Sequence, residues 1–156
     1  MSVSQSINRP AQVVWSAVAD PSHFASWSPE SAGSRSKVAG ALPVGAEFTG
    51  RNRHGVFRWS TQCRVTESTP GEVFAFEVTY MGMTDATWRY SLTPTEGGCL
   101  VEEQCWDNRG RLLELMGTIG TGVADRVSHN RVTMTATLQA LKQELESEPG
   151  SAGPRD

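Results

Sequence analysis

The sequence predicts an α+β fold in which a curved antiparallel sheet packs against one long C-terminal helix. Two observations support this. Between residues 34 and 107 apolar side chains recur at every second position, and from about Val123 to Glu146 they recur at helical spacing. Turn residues separate the period-two runs, so consecutive strands should connect directly and run antiparallel. A chain of 156 residues is long enough for one domain with one core.

After a first short strand, the chain is expected to form two short helices. Asp20-Pro21 separates them, because the Asp20 carboxylate can accept from backbone N–H groups at the start of a second helix. Pro29 ends that helix and leaves Phe24 and Trp27 on its inner side. The first helix begins near Pro10, and its apolar face holds Ala11, Val14, Trp15 and Val18.

The strands are predicted from strict alternation of apolar and polar residues. Turn chemistry separates them at His54-Gly55, Pro70-Gly71 and 96–98. Six or seven strands should result, with one buried and one solvated face. The apolar positions are Phe57, Trp59, Thr61, Cys63 and Val65, then Phe74, Phe76, Val78 and Tyr80, then Trp88, Tyr90 and Leu92.

The long terminal helix carries one apolar stripe and can lie across the inner face of the sheet. A sheet that wraps such a helix must curl, and curling often leaves space between the two. The stripe ends before a Gly-, Ser- and Pro-rich tail, so we expect a domain over residues 1–147 and a disordered tail over 148–156. The stripe consists of Val127, Met134, Leu138, Leu141 and Leu145.

Composition excludes several classes of function. A net charge of −3 with dispersed Lys and Arg does not predict the concentrated positive surface that nucleic-acid binding needs. The sequence has neither a signal-peptide pattern nor a run of apolar residues that could span a membrane, so a cytoplasmic protein is expected. Cys63, Cys99 and Cys105 lie in no zinc-binding spacing and should be reduced, buried thiols. Without a nucleotide fingerprint, Walker loop or metal-ligand cluster, no cofactor or metal is expected.

Six stretches in order resemble the SRPBCC superfamily (START, pollen-allergen and aromatic polyketide cyclase), in particular its polyketide cyclase/dehydrase branch. They span most of residues 2–146. The resemblance implies the helix-grip fold, in which the sheet wraps the C-terminal helix around a hydrophobic tunnel. It also implies that the two short helices plug one end of the sheet, with Trp15, Phe24 and Trp27 as a wedge. The stretches are 10–15 with 19–21, then 27–29, 45–53, 58–61, 97–103, and 126–130 running on to Met134, Thr137-Leu138 and Leu141-Lys142.

The inward strand positions form an aromatic wall with a few polar ends, which suits a flat apolar or aromatic ligand. Ordinary core packing is the alternative for each residue. The wall consists of Asn52, Phe57, Trp59, Phe76, Tyr80, Trp88, Tyr90 and Cys105; from the helices, Phe24, Trp27, Asn130, Arg131 and Met134 join the candidate ligand-binding set.

Glu103 is the candidate catalytic residue, because its parity points a carboxyl group inward, where an unpaired charge is unfavourable. Either an ion pair with Arg131 or water at the end of the pocket beside Asn130 would give the Glu103 carboxyl group a partner. If the protein is a cyclase, Glu103 could remove an α-proton while Tyr80, Tyr90 or Asn130 holds the enolate. His23, His54 and His129 are expected to be solvent-exposed.

Two further segments have open interpretations. Residues 108–122 combine glycines with apolar residues that include Met116, which suits either a lid over the pocket or a short packed helix. Arg51, Arg53, Arg58 and Arg64 make a positive outer face that we expect to be solvated.

Binding of a hydrophobic or aromatic small molecule, lipid- or polyketide-like, is therefore the leading hypothesis for function. A polyketide cyclase/dehydratase working in the same cavity is the alternative. A protein-interaction module acting through the long helix or the sheet edge is a weaker one. The expected partner is a small hydrophobic ligand, and the chain is expected to be a monomer or homodimer.

Overall fold

Seven antiparallel strands form one curled sheet, and a long C-terminal helix lies in its concave side. The computed structural model describes residues 1–109 and 126–147. The strand order is β1-β7-β6-β5-β4-β3-β2. The elements are β1 (Ser2–Ile7), α1 (Ala11–Val18), a 3-10 turn (Pro21–His23), α2 (Phe24–Trp27), β2 (Ser31–Ser36), β3 (Glu47–His54), β4 (Phe57–Thr69), β5 (Val73–Tyr80), β6 (Met83–Thr95), β7 (Gly98–Asp107) and α3 (Arg126–Ser147). The predicted α+β helix-grip architecture is confirmed.

The short helices follow the predicted break at Asp20. Its carboxylate accepts from the Ser22 backbone N–H at 3.0 Å and from the Ser22 hydroxyl at 2.6 Å. The second helix is divided, with a 3-10 turn before α2. Phe24 then lies with its ring centre 6.0 Å from that of Phe76 and 6.5 Å from that of Tyr90, so α2 brings an aromatic ring to the inner face of the sheet.

Of the predicted stripe, α3 buries Met134, Leu138, Leu141 and Leu145. It packs chiefly against β1 and α2. Polar contacts tie its C-terminal half down, since Lys142 Nζ donates to the Ser6 carbonyl and Glu144 accepts from the Trp27 indole at 2.9 Å. One end of the helix is thus fixed to the first strand and the short helices.

The alternation of buried and exposed residues fails at the start of β5, where four consecutive residues, Val73 to Phe76, are all buried. Ala75 lies on the outer face, between Glu67 and Arg89 in the strand register. Those two side chains form an ion pair, with Arg89 Nε 3.0 Å from Glu67 Oε1, and so cover the small alanine. Sequence periodicity could not show this cross-strand cover.

The hairpin between β5 and β6 turns at Met81-Gly82, a turn that the sequence analysis did not identify. Both residues have positive φ, 52° and 77°. Two consecutive left-handed residues are typical of a tight type I′ turn. Such turns favour Asn or Gly at both positions, so a turn with Met at the first position is not recognised from the sequence.

Three predictions concern residues at or beyond the limits of the described chain. The helix predicted from about Val123 is seen from Arg126 onward, and the glycine-rich segment is described only at Asn108 and Arg109. The tail 148–156 lies outside the described residues, so its disorder stays a prediction. No helix within the described ranges has the length and hydropathy needed to cross a membrane.

Candidate functional site

A cavity of about 150 Å³ lies between the inner face of the sheet and α3. A dry cavity of about this size in another protein holds a benzene ring. Aromatic and aliphatic side chains form one part of its wall, and polar or charged side chains form the rest. Transfer of an apolar group from water to the apolar part is favourable. The apolar wall consists of Phe24, Phe48, Phe76, Val78, Ala86, Trp88 and Met134.

The structure brings ten of the predicted site residues together around this cavity. They come from α2, from five of the seven strands and from α3, so only the folded sheet assembles them. The ten are Phe24, Asn52, Trp59, Phe76, Trp88, Tyr90, Glu103, Cys105, Asn130 and Met134.

Four other predicted residues do not line the cavity, and Met116 lies outside the described residues. Trp27 is buried, but its indole is turned toward Glu144. Phe57 and Tyr80 have the predicted parity, yet each stands beside a hairpin turn at a strand end, beyond the cavity. Arg131 is exposed on α3. The sequence alternation gave the correct face of the sheet without locating the end of the cavity.

Glu103 is the most unusual polar residue of the site, with only 2% of its surface exposed. It lies directly opposite Tyr90 in the β6–β7 register, and the Tyr90 hydroxyl donates to Glu103 Oε1 at 2.8 Å. Oε2 is buried and has no hydrogen-bond partner among the described residues. The predicted ion pair with Arg131 is therefore wrong, because the Arg131 side chain faces solvent.

Burial determines the protonation of this acid. It raises the pKa of Glu103 from 4.5 to about 8, while the hydrogen bond from Tyr90 acts in the opposite direction. Burial, followed by the proximity of Glu103, also raises the pKa of Tyr90. At neutral pH Glu103 is mainly a neutral carboxylic acid, which can donate one hydrogen bond in a site lined by aromatic rings.

Two thiols complete the inner surface. Asn130 Nδ2 lies 3.8 Å from Cys105 Sγ, and Thr61 Oγ1 lies 3.9 Å from Cys63 Sγ. Burial raises the pKa of Cys63 and of Cys105 to about 12, so both are neutral and weakly nucleophilic. All three cysteines are free and buried, as predicted. No cluster of three or more His, Cys, Asp or Glu side chains suited to a metal is present in residues 1–109 and 126–147.

One end of the cavity is charged, which the sequence analysis missed. Arg109, with a side chain only 8% exposed, places Nε 2.8 Å from Asp107 Oδ1 and 4.0 Å from Asp85 Oδ1. Asp107 lies opposite Ala86 in the register, so the three residues meet where β6 and β7 run side by side. The available signal was the Asp107-to-Arg109 spacing at the end of the last strand.

A second cleft, of about 340 Å³, adjoins the cavity at Glu30 and Thr133, which line both. His54 and His129 also line it, with ring centres 5.0 Å apart, and His129 Nε2 lies 3.7 Å from Glu30 Oε1. Both imidazoles are half-buried, so the expectation that they are exposed is wrong, whereas His23 is exposed. The cause is tertiary, since the hairpin tip at His54 meets α3 at His129.

Comparison with known families agrees with this architecture. The sequence model described as "Polyketide cyclase / dehydrase and lipid transport" matches residues 1–146. The chain belongs to this family. The match spans every described element of the sheet and nearly all of α3, so the predicted resemblance to the polyketide cyclase/dehydrase branch is confirmed.

Solved structures similar to this family member have the same fold. Protein CV1439 from Chromobacterium violaceum has a TM-score of 0.70 at 16% identity, over 95% of this chain and 98% of that one. The polyketide-cyclase-like protein Cgl2372 from Corynebacterium glutamicum has a TM-score of 0.60 at 25% identity, over 100% and 96%. DynU16, a protein in the dynemicin biosynthetic locus, has a TM-score of 0.65 at 16% identity, over 94% of this chain and 47% of that one. No match is found among curated proteins.

Proposed function

We propose that the protein binds a small, uncharged, apolar or aromatic molecule in the cavity, with a hydrogen-bond acceptor of the ligand facing Glu103. The buried Oε2 of Glu103, which has no partner among the described residues, is the observation that carries this proposal. A buried polar group without a hydrogen bond is unfavourable by about 1–3 kcal/mol, so a ligand acceptor that meets it gains binding energy.

The apolar part of the wall supports a ligand with a ring. Phe76 and Trp88 present aromatic faces to the cavity, and Met134 adds a polarizable side chain that adapts to ring edges. A ligand cation at Glu103 would require the ionised acid, which burial disfavours at neutral pH. Family membership, with its printed reference to polyketides and lipids, agrees with a hydrophobic ligand.

Acetophenone and α-methylstyrene test this proposal as a matched pair, since they share their shape and differ in one carbonyl oxygen. Isothermal titration calorimetry should detect binding of both to the wild-type protein. Replacing Glu103 with Leu should shift the affinity ratio against acetophenone by roughly five-fold, the equivalent of one hydrogen bond of about 1 kcal/mol. Glu103→Gln, which keeps an N–H donor, should hold the ratio within a few fold of wild type.

Absence of binding of either compound would contradict the proposed cavity ligand. An affinity ratio that is the same in wild type, Glu103→Leu and Glu103→Gln would contradict the contact with Glu103 while leaving the cavity as a binding site.

We also propose a second candidate function, aldol condensation followed by dehydration, because a carboxyl group with a pKa of about 8 suits proton transfer near neutral pH. Ionised Glu103 would remove an α-proton, the new carbanion would attack a second carbonyl, and loss of water would give an enone. Of the predicted donors, Tyr80 lies outside the cavity and the Tyr90 hydroxyl is bonded to Glu103, which leaves Asn130 to hold the enolate oxygen.

Heptane-2,6-dione provides a test substrate, because its intramolecular aldol reaction and dehydration give 3-methylcyclohex-2-enone and one water. If the protein is a catalyst, enone absorbance should rise faster than in buffer, with a rate that increases with pH up to about 8. Glu103→Gln should lose this acceleration and still bind acetophenone. A wild-type rate equal to that of Glu103→Gln would leave binding as the only proposed function.

A further inference from the structure

The cavity wall has a small recess at Gly50, on the inner face of β3. Gly50 lines the cavity between Phe48 and Asn52, which share its inward parity, and it lies directly opposite Thr61 in the β3–β4 register. Its backbone has ordinary strand geometry, so no turn or left-handed conformation requires glycine at this position. A glycine inside a strand often marks a place where a ligand approaches the backbone closely.

Polar and polarizable side-chain atoms surround the space that a side chain at Gly50 would occupy. A Cβ atom at this position would lie 3.0 Å from Thr61 Oγ1, 3.9 Å from Asn52 Nδ2 and 4.0 Å from Cys63 Sγ. All four residues line the cavity. The recess is therefore a polar part of the wall, on the same inner face of the sheet as the aromatic part.

Asn52 and Thr61 keep hydrogen-bonding capacity at the recess. Asn52 Nδ2 donates to Thr61 Oγ1 at 3.4 Å, which is the only side-chain hydrogen bond of Asn52 among the described residues. An amide has two N–H donors and an acceptor oxygen, so Oδ1 and one N–H of Asn52 are available. The buried Thr61 hydroxyl has, in the described chain, only Cys63 Sγ at 3.9 Å as a further side-chain partner. A ligand group that completes these bonds gains binding energy.

The groups around the recess favour a neutral ligand group over an anion. They are an amide, a hydroxyl and the Cys63 thiol, which stays protonated because burial raises its pKa to about 12. The negative charge of Asp85, which also lines the cavity, raises the pKa of Cys63 by a smaller amount. An anion in the recess would therefore meet a negative charge, whereas a neutral hydroxyl group needs no counter-charge.

We propose that Gly50, Asn52 and Thr61 form a second polar subsite of the cavity, which binds a neutral hydroxyl group of the ligand. The inference rests on the proposed binding function and narrows its ligand class to hydroxylated aromatic or apolar molecules. The hydroxyl group donates to Asn52 Oδ1 and accepts from the free amide N–H. Three strands, β4 to β6, separate Gly50 on β3 from Glu103 on β7, so this hydroxyl group and the acceptor that faces Glu103 belong to different ends of the ligand.

p-Cresol and 4-fluorotoluene test the subsite as a matched pair, because fluorine replaces the hydroxyl group at similar size and cannot donate a hydrogen bond. By isothermal titration calorimetry, wild type should bind p-cresol at least roughly five-fold more tightly, the equivalent of one neutral hydrogen bond. Asn52→Leu/Thr61→Val removes the polar atoms and keeps similar side-chain sizes. It should abolish or reverse the preference, because the hydroxyl group then loses water without gaining a partner. Gly50→Ala should reduce the preference as well, because its Cβ fills the recess.

Thr49→Val/Gln62→Leu is the matched control. Thr49 and Gln62 form a similar hydroxyl–amide pair on the outer face of the same two strands, with Thr49 Oγ1 3.1 Å from Gln62 Oε1. This control and Glu103→Leu should both keep the wild-type preference. Loss of the preference in the control would indicate a general effect on the sheet, and its loss in Glu103→Leu would place the hydroxyl group at Glu103. Either result, or equal affinities of the two compounds in wild type, would overturn the proposal.

4-Fluorotoluene separates failure of this inference from failure of the proposed function. Binding of 4-fluorotoluene and acetophenone without an advantage for p-cresol rejects only the hydroxyl subsite. If none of the three compounds binds, the proposed cavity ligand is rejected together with the subsite. Binding of 4-fluorotoluene to each variant, within about three-fold of wild type, shows that the cavity of that variant is intact.

Discussion

The wild-type protein is expected to lose stability as the pH rises from about 4.5 to about 8, and Glu103→Gln is expected not to show this loss. The folded state raises the pKa of Glu103, because burial disfavours the charged form. Below pH 4.5 the carboxyl group is protonated in both states and carries no penalty. Above it, the unfolded chain releases the proton while the folded protein retains it, so the free energy of unfolding decreases until the folded group also ionises near pH 8.

The size of this effect is large for a single residue. At roughly 1.4 kcal/mol per pKa unit, the difference between the two pKa values corresponds to as much as about 5 kcal/mol. That is comparable to the whole stability of a marginal domain. Glutamine has the same shape and no titrating proton, so the variant should gain stability relative to wild type as the pH rises.

Urea unfolding at pH 5, 6.5 and 8 measures the effect as the difference between wild type and Glu103→Gln, which cancels the contributions of other titrating groups. Glu102→Gln is the matched control. Glu102 precedes Glu103 along β7, and its side chain lies on the opposite face of the sheet, where its carboxylate accepts a hydrogen bond from Gln104. The free energies of unfolding of wild type and Glu102→Gln should change with pH in parallel. Parallel curves for wild type and Glu103→Gln would show that Glu103 is not a buried neutral acid.

Ala86→Phe is expected to abolish ligand binding. Ala86 lines the cavity and is only 8% exposed, so a phenyl ring added there occupies the space of one ligand ring. Acetophenone affinity should fall by at least roughly 30-fold, about 2 kcal/mol. Because the new ring fills existing space, the free energy of unfolding should stay equal or rise.

Thr84→Phe provides the control for this variant. Thr84 is exposed on the same strand, β6, so Thr84→Phe adds the same ring outside the cavity. It should bind acetophenone like wild type. If Ala86→Phe folds with wild-type stability and still binds acetophenone with unchanged affinity, the ligand occupies another part of the molecule.

Sequence periodicity was sufficient for the sheet, for α3 and for the inward direction of Glu103, because alternation and helical spacing report which face is buried. It was not sufficient for the ends of the cavity. Phe57 and Tyr80 share the inward parity of Trp59 and Phe76, and only the strand lengths and the turn at Met81 place them outside. The sequence did not indicate that Tyr90 is the hydrogen-bond partner of Glu103, because only the β6–β7 register makes the two residues neighbours.

The second cleft shows the same limit. His54 and His129 are 75 residues apart, and nothing in either local pattern indicates that their rings meet. Arg53 and Arg58 lie on alternating, exposed strand positions, and only the strand register shows that they are directly opposite each other. Long-range pairing, not local composition, creates the electrostatic character of this surface.

A crystal structure of the protein soaked with 4-bromoacetophenone tests most directly whether the space between sheet and α3 is a ligand site. We expect an anomalous bromine peak inside the cavity, with the carbonyl oxygen about 2.7 Å from Glu103 Oε2. An interior filled by side chains, with bromine found only on the outer surface at saturating concentration, would contradict both proposed functions.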